Sequence, residues 1–212
     1  DKLYEEANKD KNSWSTLLEK GEYFESQNNF DEAIKYYEEM IRLFPRNYNG
    51  WFKRGLIKKK NNDIKGAIED YTKSISLEPV YQAFANRAVA FLALDDKESA
   101  LKDLNEALRL NPNDDIALRN RGQLKIVQGD FLESINDFDE AIKISPENPH
   151  SFHCRAFAKY KINDKKGAKE DWKKALDMGY EIASKALKDY FHEWRSILLI
   201  EKIFTLIISQ IG

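Results

Sequence analysis

Cysteine is almost absent from this chain. Cys154 stands alone, so no internal disulfide can form and the redox compartment is left open. Glycine and proline are also scarce, nine and five in 212 residues, which argues against a sandwich of short strands joined by tight turns and favours helices. Neither sign of charge dominates. With 34 basic against 36 acidic side chains, the net charge of −2 supplies no long-range field for a phosphate backbone, and nucleic acid is not expected as a partner. There is no secretory signal. The most apolar run, residues 197–211, carries Glu201 and Lys202 in its middle and falls short of the roughly 20 residues a bilayer requires, so a membrane partner is not expected either. The chain starts at Asp1 rather than Met, which leaves room for a leader or an upstream domain ahead of it. What the chain does contain is apolar material, 42% of residues, enough to build a core and to exclude wholesale disorder.

The prolines show how that material is arranged. Pro45, Pro79, Pro112 and Pro146 are separated by 34, 33 and 34 residues, the fixed period of a helical repeat array. Placing each proline at position 32 gives five repeats, 14–47, 48–80, 81–114, 115–148 and 149–182, with residues 1–13 as a leader or helix extension and 183–212 as a C-terminal capping helix. Position 8 is then always small (Gly21, Gly55, Ala88, Gly122, Ala156), and so is position 20 (Ala33, Ala67, Ala100, Ser134, Ala168). Side chains this short let two helices, A and B of each repeat, approach closely. Larger groups recur at position 4 (Leu17, Trp51, Phe84, Leu118, Phe152) and position 24 (Tyr37, Tyr71, Leu104, Phe138, Trp172), filling the space around the close approach. Position 15 (Asn28, Asn62, Asp95, Gly129, Asn163) holds residues that tolerate a left-handed helix end, and position 16 (Asn29, Asp63, Asp96, Asp130, Asp164) holds residues that cap the next helix. The proline is expected to open the following repeat, where a missing N–H does little harm.

Small residues at positions 8, 20 and 27, aromatic residues at 4 and 24, and Pro at 32 make the chain resemble the tetratricopeptide repeat family over residues 14–182. Met40 and Ser74 depart from the pattern at position 27, and Tyr180 replaces the fifth proline, which marks the end of the array. The resemblance implies an all-α fold, a right-handed superhelical solenoid of antiparallel helix pairs, acting as a non-catalytic scaffold for another protein. In the family's co-chaperone branch, Lys, Asn and Arg at fixed positions clamp a chaperone's terminal carboxylate. The matching positions here are Leu18 and Glu22, then Lys53, then Gln82 and Asn86, and neither later register supplies the cationic cradle. A chaperone tail is therefore not expected to bind.

Arg54, Arg87, Arg121 and Arg155 occupy position 7, and Asp70, Asp103, Asp137 and Asp171 occupy position 23. The first repeat lacks both, with Lys20 and Tyr36 instead. Charges that appear and disappear together point to a structural ion pair, within a hairpin or between repeats, since a partly buried arginine needs a carboxylate. The alternative is an arginine row for an acidic ligand.

Positions 2, 5, 6, 9 and 12 of each helix A share one stripe opposite the hairpin contacts, the expected concave groove. That stripe contains Phe52, Lys53, Leu56, Asn86, Val89, Arg119, Asn120, Gln123, His153 and Phe157 as candidate peptide contacts. Asn86 and Asn120, at position 6 of consecutive repeats, are similar to the asparagine ladder in the repeats of O-linked N-acetylglucosamine transferase; Lys53 and Cys154 interrupt it. Lys53 and Arg119 would favour acidic side chains. His150, His153 and Cys154 lie on one helical face with zinc-like spacing, but no fourth ligand is nearby and three ligands on one helix are cramped, so no metal and no cofactor is expected. No phosphate loop, metalloprotease motif or nucleophile elbow is present, and no enzyme is expected. Two other readings follow from the termini: a homodimer formed through residues 197–211, ten of whose fifteen residues are Ile, Leu or Phe, or the docking module of a larger protein.

Overall fold

A computed structural model gives the fold and describes residues 13–191. Residues 197–211, with the homodimer expectation that rests on them, lie outside that part. Among the described residues there are eleven α-helices and no strand. The chain forms two compact units, one ending at Pro112 and the other starting at Asn113.

The first unit holds three antiparallel hairpins: α1 (Trp14–Ser26) with α2 (Phe30–Leu43), α3 (Tyr48–Lys60) with α4 (Ile64–Leu77), and α5 (Tyr81–Ala93) with α6 (Lys97–Leu110). The second holds α7 (Asp115–Gln128) with α8 (Phe131–Ile144) and α9 (Pro149–Lys161) with α10 (Lys165–Asp177), followed by α11 (Ile182–Tyr190) packed on α10.

The hairpin turns follow from backbone chemistry. Asn28, Asn62, Asp95, Gly129 and Asn163 all have positive φ, between 56° and 89°. The N–H of the next residue reaches back to the carbonyl five residues earlier, as from Asn29 to Phe24 (2.9 Å) and from Asp164 to Lys159 (2.9 Å), which satisfies a helix-end carbonyl. Asn29, Asp63, Asp96 and Asp164 then accept a backbone N–H at the start of the next helix. Asp130 occupies the same place but makes no side-chain cap bond. The prolines act differently from expectation. Pro45, Pro79, Pro112 and Pro146 each follow the C-cap residue of a second helix, Phe44, Glu78, Asn111 and Ser145. They stop the helix behind them, because proline cannot continue it. Only Pro149 sits in the first turn of a helix.

Packing explains the small positions. A Cβ on Gly21 would collide with the Tyr37 ring, and one on Gly122 would come within 3.0 Å of Phe138. Tyr37, Tyr71, Leu104, Phe138 and Trp172 are fully buried against these positions. In the second unit α11 packs on α10. Ala183 and Leu187 cover the Trp172 cluster, and the Trp172 and Tyr190 rings stack with centroids 5.2 Å apart. The opposite face of α11, with Lys185 and Asp189, is exposed.

Candidate functional site

The arginines face inward. Arg54 Nη2 lies 2.7 Å from Asp70 Oδ1, Arg87 Nε lies 2.7 Å from Asp103 Oδ2, and Arg121 Nη2 and Arg155 Nη2 lie 2.6 Å from Asp137 and Asp171 Oδ1. All four aspartates are buried. A second cation joins the same carboxylate from position 11 in three hairpins: Lys58 to Asp70 (2.9 Å), Lys125 to Asp137 (3.2 Å) and Lys159 to Asp171 (2.8 Å). In the third hairpin Phe91 replaces that lysine, and the Arg87 guanidinium stands 5.7 Å from its ring.

Three of the arginines also tie their hairpin to the preceding one of the same unit through position 25. Arg87 Nη1 donates to Thr72 Oγ1 (2.8 Å), Arg155 Nη1 donates to Asp139 Oδ1 (2.7 Å), and Arg54 stands 3.7 Å from Glu38. Position 25 carries no sequence signature, because its chemistry varies (Glu38, Thr72, Asp139) while its polarity does not. In the first repeat a cation–π contact replaces the pair, with Lys20 Nζ 5.7 Å from the Tyr36 ring centre. These arginines hold helices together and offer a ligand little.

In the first unit the faces of α1, α3 and α5 are joined by side chains. Lys53 Nζ lies 2.5 Å from Glu22, Lys60 lies 2.6 Å from Glu25, and Lys59 donates to Asn86 Oδ1 at 2.6 Å. Phe52, Leu56 and Val89 are half-buried on this surface, with the Phe52 ring 6.0 Å from Tyr71. Asn86 is not free: its Nδ2 donates to the Gln82 carbonyl (2.9 Å) while its oxygen holds Lys59. Lys53, expected to attract acidic groups, is already matched by Glu22. Both engagements have one physical cause: an amide or ammonium beside a neighbouring helix finds a partner on it.

In the second unit, α7 and α9 present Arg119, Asn120, Gln123, His150, His153 and Phe157. Arg119 Nη2 is matched by Asp115 at 3.2 Å, so it too is already engaged. Gln123 Nε2 lies 3.2 Å from His150 Nε2, and Cys154 Sγ lies 3.6 Å from the same nitrogen. His153 turns instead to Tyr180, with ring centres 5.2 Å apart, and to Trp172. Tyr180, the residue that replaced the fifth proline, thus covers part of the candidate surface. Phe157 packs on the Trp172 cluster, and Lys161 Nζ stands 5.2 Å from its ring centre.

Burial lowers the pKa of His150, helped by Arg119, and that of His153, helped by His150. Burial pushes the Cys154 thiol up to about 11, so it stays protonated and is a poor nucleophile. Among the described residues no group of three His, Cys, Asp or Glu could hold a metal ion, and no helix is long and apolar enough to cross a membrane.

Tetratricopeptide repeat models match residues 14–47, 48–81 and 81–114 of this hairpin array. The chain belongs to the tetratricopeptide repeat family. The DnaJ homolog subfamily C member 7 homolog of Dictyostelium discoideum is 23% identical over 184 residues, covering 79% of this chain and 34% of that protein. This chain spans between 10% and 34% of the length of the first curated relatives. Two solved structures share the fold. YrrB, described as having an unusual peptide-binding site, gives a TM-score of 0.73 at 18% identity and covers 89% of this chain and 98% of its own. MamA gives 0.70 at 22% identity, covering 80% and 93%. Tetratricopeptide repeat proteins act as protein-interaction scaffolds, typically without catalysis of their own.

Proposed function

We propose that this chain is a non-catalytic scaffold that holds an extended peptide of another protein against the first-helix surface of its hairpins. The observation that carries the proposal is the surface of α3 and α5. There Phe52, Leu56 and Val89 stay half-exposed beside polar side chains fixed by their neighbours. Apolar side chains left in contact with water next to preorganised polar groups are what a peptide backbone with alternating side chains requires. The peptide-binding site described for YrrB supports this reading by analogy of fold. The chaperone-tail clamp is outside the proposal, since Leu18 and Gln82 stand where it needs cations.

The test uses a partner identified by co-purification with the full chain and then reduced to its shortest binding peptide. Leu56→Asp with Val89→Asp should weaken that peptide by about 2 kcal/mol or more, as loss of a buried apolar contact does at an interface. Lys35→Glu, on a second helix, should leave its affinity unchanged. A peptide that binds the Leu56/Val89 variant as tightly as the wild type binds elsewhere, and the reading fails.

A further inference from the structure

Helix α3 carries five cations, and four of them have carboxylate partners within the first unit. Lys53 is matched by Glu22, Arg54 and Lys58 by Asp70, and Lys60 by Glu25. Lys59 is the exception. Its Nζ donates to Asn86 Oδ1 at 2.6 Å, and among the described residues no carboxylate reaches it. The side chain is half-buried, so the charge has lost part of its water without gaining an opposite charge. An ammonium has three N–H donors, and one neutral acceptor leaves donor capacity for a ligand.

The acceptor is itself fixed. Asn86 Nδ2 is bonded to the Gln82 carbonyl at 2.9 Å, which turns the amide oxygen toward Lys59 and holds the ammonium in place. Leu56 lies one turn before Lys59 on α3, and Val89 one turn after Asn86 on α5, both half-buried. A carboxylate arriving here would meet a preorganised cation in partly apolar surroundings, where a charge-assisted hydrogen bond is stronger than in open water.

We infer that Lys59, held by Asn86, is an anion anchor that takes the side-chain carboxylate of an acidic residue, flanked by apolar residues, within an extended peptide. The inference rests on the scaffold reading above and names the ligand chemistry of that surface. Lys59 stands at position 12 of its repeat, outside the positions of the chaperone-tail clamp, so no chain terminus is needed.

Twelve-residue random peptides displayed on phage, joined to the coat protein at their C-termini, have no free terminal carboxylate and suit the test. Selection on the full chain should enrich Asp or Glu next to apolar residues. Selection on Lys59→Gln, which keeps a hydrogen-bonding group but no charge, should lose the acidic preference, and Lys59→Arg should retain it. The best peptide, made with an amidated C-terminus, should lose about tenfold in affinity when its acid becomes the amide, and nothing further on Lys59→Gln. Thermal unfolding of each variant checks that the fold is intact. Enrichment of peptides without an acid, or an acidic preference equally strong on Lys59→Gln, overturns the inference and leaves the scaffold reading standing. Failure to select any peptide removes both.

Discussion

Ser134 shows how much a single atom can matter in a repeat. It is fully buried at position 20, and among the described residues its Oγ has no hydrogen-bond partner. The other four repeats place alanine there: Ala33, Ala67, Ala100 and Ala168, each fully buried. A buried hydroxyl with no partner costs about 1–3 kcal/mol, whereas a methyl group fits the same packing elsewhere in the chain. Ser134→Ala should therefore raise stability by about 1 kcal/mol. Urea unfolding would show a higher midpoint with an unchanged slope, and a lower midpoint would mean that the hydroxyl has a partner after all. Lys59 teaches the opposite lesson at the same scale. Its stripe position is evident from the chain, but its lack of a carboxylate depends on which neighbours are claimed by Lys53, Lys58 and Lys60, and helices far apart in sequence decide that.

At the scale of the helix, Arg54, Arg87 and Arg155 each join three elements: their own first helix, the second helix of their hairpin and the helix before it. Asp103 is the clearest test, because among the described residues no lysine shares it in the way that Lys58 shares Asp70. Asp103→Ala would leave Arg87, only 16% exposed, facing Thr72 and two aromatic rings without a carboxylate. The expected loss is about 3 kcal/mol, the usual penalty for removing one partner of a buried pair. Glu32→Ala, which breaks the solvent-exposed pair with Lys35, should leave the unfolding midpoint where it was. If the two variants unfold alike, the arginine ties contribute no more than surface charges. The co-occurrence of Arg at position 7 with Asp at 23 is legible in the chain, because both are constant. The third partner, Glu38, Thr72 or Asp139, is not, because any polar atom at that place can accept the bond. The prolines differ from expectation for a related reason: a period of about 34 locates a helix boundary but does not say on which side of it the proline acts.

For the molecule as a whole, the two units should respond differently to acid. His150 and His153 both belong to the second unit, and the described part of the first contains no histidine. Their pKa values are lowered from 6.5 by burial, so the folded unit favours the neutral rings. The sign follows from linkage. Above about pH 6.5 both states hold neutral rings and stability is complete; below it the unfolded chain binds protons first, and stability falls until pH drops through the folded pKa. Hydrogen exchange compared at pH 7 and pH 5.5 should show lost protection in α9 and α10 while α1 to α4 hold theirs. Equal loss in both units, or loss only near pH 4 where carboxylates titrate, would contradict this origin. Cys154 should not take part, since burial keeps it a thiol throughout that range.

The chain alone determined the hairpins, because helix ends are local events. A residue tolerating positive φ, a capping side chain next to it and a proline near the far end act within a few bonds of themselves, and their period reveals the array. It determined the close helix contacts as well, since glycine or alanine opposite a large ring has one packing solution. Tertiary structure alone decided what the charged and amide groups do. Lys53, Arg119 and Asn86 all looked available, yet each is bonded to a neighbouring helix or to its own, whereas Lys59 on the same stripe is left without a carboxylate. Long polar side chains reach several partners, and the choice among them depends on distances set by packing rather than by spacing along the chain.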